Sequence, residues 1–76
     1  MNAPQTNAPQ IAVTVNGATG SWAPGTRLDQ IVAEISAAPT GIAVAVGDAV
    51  VPRTQWPDWI LADGDVVEIL TAVQGG

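Results

Sequence analysis

The chain ends in two glycines, and the carboxylate that follows them is the group best placed for covalent chemistry. Gly75 and Gly76 come directly after a strand-like run that begins at Val66. A carboxylate is a poor electrophile, but a leaving group such as an adenylate turns it into an acyl donor. Glycine has no Cβ, so the terminal carbonyl would be open to attack and the preceding backbone could enter a narrow channel. Taken alone, two glycines also fit a plain unstructured chain end.

The rest of the sequence offers little for an enzyme active site. Its 76 residues include no Cys and no His, and the two basic residues are Arg27 and Arg53. The commonest general base, the thiol nucleophile and the lysine amine are therefore missing. Asp63 and Asp65 flank Gly64, which we interpret as a turn and not as a metal site because no third ligand is in view. We expect no catalytic residue, no metal and no bound cofactor, so the chain would be a substrate of other enzymes.

The charge balance also limits the partners. The net charge is -5 with two arginines in 76 residues, and binding to nucleic acids or anionic membranes depends on clusters of Lys and Arg. No apolar run approaches the roughly 18 residues of a membrane span, and the N-terminus lacks the pattern of a secretory signal. We therefore predict a cytoplasmic protein that binds neither nucleic acid nor membrane and is a monomer when free.

The first half of the chain predicts a hairpin followed by a helix. Apolar residues alternate over 11–15, Asn16-Gly17 fits a tight turn, and 18–22 would return, with Trp22 packed on the core or on a neighbouring strand. Thr26 is the expected helix N-cap, with Asp29 at the spacing of a capping box. The helix should end before Pro39 and bury one stripe of residues, namely Leu28, Ile31, Val32 and Ile35.

The second half predicts three more strands. The apolar run 42–46 fits a strand buried within a sheet, and a turn at Gly47-Asp48 leads to a short strand over 49–51. The segment 53–61 should be irregular or a short helical turn, fixed by some of Trp56, Trp59, Ile60 and Leu61. These tryptophans could anchor a partner, but we expect them to pack on the core. Arg53 could also contact a partner, but we expect it to pair with an acid or cap carbonyls. A turn at 63–65 then precedes a last strand over 66–73.

This order of elements is that of a ubiquitin-like β-grasp, an α+β fold. It has a mixed sheet of four to five strands with one main helix on one face, and the first and last strands lie parallel at its centre. We predict a disordered arm over residues 1–10, the β-grasp domain over 11–73 and a flexible tail over 74–76.

The last strand should present one face to the helix and the other to solvent. Val67, Ile69 and Val73 share one face, because successive side chains of a strand alternate. If that face meets the helix, an exposed apolar surface formed by Val66, Leu70 and Ala72 would lie beside the tail. We predict that this surface docks the partners.

Three stretches of the sequence resemble the ThiS family of sulfur carriers. They are VGDAVVPRTQW at 46–56, LADGDVVEI at 61–69 and the terminal Gly-Gly. The Val-Pro-Arg-x-x-Trp pattern points to this family, whereas the other two patterns also occur in related β-grasp carriers. The resemblance extends over residues 11–76. The family commonly has asparagine where this chain has Gly47, and both residues accept a positive φ.

The resemblance implies a reaction at Gly76. An E1-like adenylyltransferase of the ThiF type would activate its carboxylate with ATP and Mg²⁺, and a persulfide sulfur donor would convert the adenylate into a thiocarboxylate. A thiazole synthase of the ThiG type would take this sulfur to form the thiazole of thiamine, while Gly75 and Gln74 thread the partners' sites. The small subunit of molybdopterin synthase and a ubiquitin-like tag or adaptor remain the alternatives.

Overall fold

The computed structural model describes residues 9–36 and 41–71. Within them the chain forms an α+β fold, as predicted. Its elements are β1 (Ile11–Val15), β2 (Ala18–Trp22), α1 (Leu28–Ile35), β3 (Ile42–Val46), β4 (Ala49–Val50), a 3₁₀ helix (Arg53–Asp58) and β5 (Val66–Thr71). No helix of the described ranges is both long enough and apolar enough to span a membrane.

The five described strands form one mixed sheet in the order β2-β1-β5-β3-β4. β5 lies between β1, to which it is parallel, and β3, to which it is antiparallel. The first and last strands are therefore neighbours at the centre of the sheet, as the order of elements predicts. β3 lies inside the sheet, between β5 and β4, as predicted, and its buried residues, Val44 and Val46, lie on one face.

The hairpin between β1 and β2 forms as predicted. Its two turn residues have positive φ values, 51° at Asn16 and 86° at Gly17, which Asn and Gly adopt at low cost. Trp22 is partly buried against the core. A methyl group at Gly20 would lie 3.4 Å from the Trp22 Nε1 atom, an ordinary van der Waals contact, so the indole leaves room for a small side chain there.

The helix starts later than its sequence pattern predicts. Its N-cap is Arg27, whose backbone N–H donates to the side chain of Gln30 at 2.8 Å. Thr26 is not the cap, because its hydroxyl donates to the Ala23 carbonyl at 2.6 Å. Asp29 does not complete a capping box, because its carboxylate accepts from the Arg27 guanidinium at 3.0 Å. The longer side chain of Gln30 thus takes the position that we assigned to Asp29.

The core lies between α1 and one face of the sheet. Three of the four residues of the predicted helix stripe are buried, but Ile35 in the last turn is 50% exposed, which corrects the fourth. The buried hydrophobic residues come from the three inner strands, from α1 and from the segment 51–61, and are Val13, Val15, Leu28, Ile31, Val32, Val44, Val46, Val51, Trp56, Leu61, Val67 and Ile69.

The segment after β4 closes one end of this core. It forms a 3₁₀ helix in which Trp56 is buried, and Trp59 packs partly buried against the core, as predicted. Ile60 is 57% exposed and does not fix the segment. Instead, backbone hydrogen bonds join it to the start of the helix, from Leu28 N to Trp59 O at 2.8 Å and from Leu61 N to Thr26 O at 2.9 Å.

The packing of α1 generates a paired prediction. Ile31→Ala should lower the free energy of unfolding by about 2–5 kcal/mol, because it leaves a cavity in the core. Ile35→Ala, the same change one turn later, should cost about 1 kcal/mol or less because Ile35 is half exposed. Urea denaturation followed by tryptophan fluorescence measures both values. Equal losses in the two variants would contradict the burial pattern of the helix.

Candidate functional site

The candidate site is the last strand together with the residues that follow it. Gln74, Gly75 and Gly76, as well as Ala72 of the predicted docking surface, lie outside the described residues. The described chain reaches Thr71, which is in register with Ile42 of β3. The structure therefore defines the strand that leads to the predicted reacting end.

Backbone hydrogen bonds hold β5 on both sides. On the β1 side, Thr14 N donates to Asp65 O at 3.0 Å and Asn16 N donates to Val67 O at 2.9 Å. On the other side, five residues of β3 are in antiparallel register with β5, from Ile42 opposite Thr71 to Val46 opposite Val67. A strand held in this way has no free edge along this stretch, which gives the chain that follows a rigid base.

Side chains extend the short parallel pairing of β1 and β5 beyond both of its ends. Before β5, an Asp63 carboxylate oxygen accepts from Ala12 N at 2.8 Å, next to the bond from Gly64 N to Ala12 O at 2.7 Å. After β1, the Asn16 side chain accepts from Ile69 N at 2.8 Å and donates to Ile69 O at 3.2 Å. Ala12 is already paired with β2 and Ile69 with β3, and each side chain supplies a partner on the side between β1 and β5.

Asn16 was not among the predicted site residues. The sequence indicates an Asn-Gly turn, and a turn alone requires only the backbone conformation of this residue. Its contact with Ile69 joins residues 53 positions apart in the chain. Only the register between the first and last strands makes that contact visible, and the parallel order predicted from the sequence could have suggested it.

The two acids of the Asp-Gly-Asp turn serve the backbone. Asp63 binds Ala12 N, and an Asp65 carboxylate oxygen accepts from Ala62 N at 2.8 Å. The Asp65 contact is local to the turn, whereas the Asp63 contact reaches β1, 51 positions away in the chain. Within 9–36 and 41–71, no three His, Cys, Asp or Glu side chains come together in a way that could hold a metal ion.

The sheet face opposite the helix, which we call the open face, is divided into an apolar and a polar half. On β5, Val66 is 44% exposed and Leu70 is 61% exposed, while Val67 and Ile69 face the core. On the β3 side, the cross-strand neighbours of β5 on this face are Ala43 and Ala45, and Val50 of β4 continues the apolar half. Glu68 is the acid among these residues.

The polar half of the open face lies on β1 and β2. Thr14 is in register with Val66 on one side and with Thr19 on the other, and the two threonine hydroxyls are 2.9 Å apart. Ser21 of β2 is also exposed on this face. The large exposed apolar side chains of this face thus lie on β5 and β4.

Among the described residues, Arg53 contacts an aromatic ring and not the acid or carbonyls that we expected. Its guanidinium carbon lies 5.7 Å from the centroid of the Trp56 ring, a distance at which cation–π attraction operates. The Trp56 indole N–H donates to Val51 O at 2.9 Å, which ties the 3₁₀ helix to the end of β4. The Val-Pro-Arg-x-x-Trp pattern therefore forms one structural unit beside β4.

A central parallel pair of terminal strands, crossed by one helix, defines a ubiquitin-like β-grasp domain. The family model for the ThiS family matches residues 7–76 of this chain. The sulfur carrier protein ThiS of Escherichia coli (strain K12) is 30% identical over 66 residues, which cover 87% of this chain and all of that protein. The chain belongs to the ThiS family, as the sequence resemblance indicated.

A solved structure agrees with this assignment. The crystal structure of the thiamine biosynthesis protein (ThiS) from Geobacter metallireducens matches with a TM-score of 0.72 and 25% identity, and the match covers 87% of this chain and all of that one. The match supports the β-grasp fold across most of the chain.

The contact at the start of the parallel pairing can be tested by mutation. Asp63→Ala should lower the free energy of unfolding by about 1 kcal/mol, because Ala12 N loses its acceptor. The control is Asp48→Ala, which removes an exposed carboxylate of the same charge from the turn between β3 and β4. Urea denaturation of the two variants should show the loss in the first only; a matching loss at Asp48 would point to net charge as the cause.

Proposed function

We propose that this chain is a sulfur carrier of thiamine biosynthesis whose terminal Gly76 is the reacting residue. The observation that carries the proposal is the family match, which extends to the Gly-Gly end at residues 75–76. The name of the Escherichia coli relative, a sulfur carrier protein, supports it. The position of β5 adds support, because the strand that precedes this end lies at the centre of the sheet.

The proposed chemistry takes place on the terminal carboxylate. A carboxylate oxygen of Gly76 attacks the α-phosphate of ATP, with Mg²⁺ bound at the partner enzyme, and pyrophosphate leaves. The terminal sulfur of a persulfide then attacks the acyl carbon and displaces AMP. A thiol cleaves the resulting sulfur–sulfur bond, which leaves a thiocarboxylate on the carrier and a disulfide on the donor. Adenylation gives the acyl carbon a good leaving group, AMP, which the persulfide can displace.

Partner enzymes would supply every catalytic group for these reactions. The chain has no Cys, His or Lys that could act as base or nucleophile. We propose an E1-like adenylyltransferase of the ThiF type and a persulfide donor as the activating partners. A thiazole synthase of the ThiG type would receive the sulfur, and the reactions would take place in the cytoplasm. The carrier would be a cosubstrate in each of them.

The apolar half of the open face is the proposed docking surface. Val66 and Leu70 are exposed on the same strand that leads to Gly75 and Gly76, so a partner bound there also holds the base of the reacting segment. Exposed contiguous apolar side chains are unfavourable in water, so a partner that covers them lowers the free energy. Glu68 lies between the two on the same face, which favours a partner with a cation at the centre of its apolar surface.

Intact mass spectrometry tests the reaction. The carrier is incubated with ATP, Mg²⁺, an E1-like adenylyltransferase and a persulfide donor, and the expected product has one carboxylate oxygen replaced by sulfur. A variant that lacks Gly76 should show no change in mass. A full-length chain that stays unmodified, under conditions in which the Escherichia coli relative reacts, would refute the proposal. The product is then supplied to thiazole synthase or to the large subunit of molybdopterin synthase. The enzyme that takes up the sulfur is the acceptor.

A matched pair of variants tests the docking surface. Leu70→Ser should raise the KM of the adenylation reaction for the carrier by about tenfold, or ~1.4 kcal/mol, because it removes a central apolar contact. Ile60→Ser is the control, since Ile60 is 57% exposed but lies outside the sheet, opposite Arg27. Release of pyrophosphate measured over a range of carrier concentrations gives both KM values. An equal KM for the two variants would exclude Leu70 from the contact.

A further inference from the structure

The side chain of Asn16 takes the place of a missing strand residue beside β5. β1 ends at Val15, and the chain then turns away into the hairpin. At this point the carboxamide of Asn16 makes both bonds that a backbone peptide would make with Ile69. Its oxygen accepts from Ile69 N at 2.8 Å, and its nitrogen donates to Ile69 O at 3.2 Å.

This contact decides whether the last part of β5 is a central strand or an edge strand. Without it, the backbone of Ile69 would have no described partner on the β1 side, and β5 would be paired there with β3 alone. A strand paired on one side is an edge, and the last residues of an edge strand open more readily. The carboxamide therefore keeps β5 in the arrangement of a central strand as far as Ile69, seven positions before Gly76.

The residue type at position 16 fits both requirements of the site. The backbone there has a φ of 51°, a conformation that asparagine tolerates better than most residues with a side chain. The side chain must donate one hydrogen bond and accept another, which a carboxamide does and a carboxylate does not. A residue needed only for the turn could be glycine, which would meet the first requirement and fail the second.

We infer that Asn16 is a positioning residue for the activation of the terminal carboxylate. It fixes the backbone of Ile69 and with it the direction in which the chain leaves the sheet toward Gly76. Precise placement of a reacting group speeds a reaction because less orientational freedom is lost in the transition state. This inference rests on the proposed function, since it concerns the presentation of the same terminal carboxylate.

The test compares Asn16→Gly with Asp63→Ala. Asn16→Gly keeps the positive φ of the turn and removes the bonds to Ile69. Asp63→Ala removes the side-chain bond at the opposite end of the same parallel pairing, which lies away from Gly76 in the chain. Both variants lose contacts of similar kind, so their global stabilities are measured by urea denaturation. Activity is then compared at a temperature where both variants are folded.

Two readouts separate a positioning role from a structural one. In Asn16→Gly, exchange of the Ile69 amide hydrogen should become about tenfold faster, and kcat/KM for adenylation should fall about tenfold. Asp63→Ala should leave both at the wild-type value. Equal kcat/KM values for the two variants, or an unchanged exchange rate at Ile69, would overturn the inference.

A second variant and the wild-type reaction complete the test. Asn16→Asp places a carboxylate oxygen against Ile69 O, and the repulsion between these two acceptors should weaken the whole contact, including the bond from Ile69 N. The variant should therefore also show faster exchange and a lower kcat/KM. Wild-type values in this variant would overturn the requirement for a donor. If the wild-type chain is not adenylated at all, the proposed function fails with the inference. If the wild type reacts and Asn16→Gly reacts equally well, only the inference fails.

Discussion

The parallel pairing of β1 and β5 is the interaction on which the rest of the structure depends. It brings together the first and last strands of the chain, so every element between them has to cross or flank the sheet. It also places β5 between two strands, whereas a strand at the edge of the sheet would have one neighbour. A carrier whose last residues react needs such a base, because an edge strand would leave the reacting segment attached to the least stable part of the sheet.

That pairing is short, and polar side chains add hydrogen bonds beyond both of its ends. Two residue pairs are in parallel register, Thr14 with Val66 and Val15 with Val67. An unpaired backbone group that loses water costs more than one hydrogen bond returns, so the backbone next to a short pairing needs other partners. Asp63 and Asn16 provide them at the two ends. Residues that a sequence marks as turn formers thereby become part of the sheet.

The sequence predicted the elements of this fold better than the contacts between them. Alternation over 11–15 and the Asn-Gly turn depend on local conformation, and both were confirmed. The predicted helix cap was wrong because Thr26, Asp29 and Gln30 are all able to form capping hydrogen bonds. Which of them does so depends on the contacts that Ala23 and Arg27 offer nearby. The Asn16 contact could not be read from local pattern at all, because it needs the register of a strand 53 residues away. Residues 72–76 lie outside the described residues, so the role of the reacting end among them stays a prediction.

The division of the open face links recognition to chemistry in the proposed carrier. Its polar half lies on β1 and β2, and its apolar half lies on β5, β3 and β4. A partner that covers Val66 and Leu70 contacts the strand whose continuation it would modify, so binding and alignment would share one element. If the apolar area lay on β2 instead, a partner could bind firmly while the reacting segment stayed two strands away. The placement of these side chains on β5 therefore suits a protein that is itself the substrate.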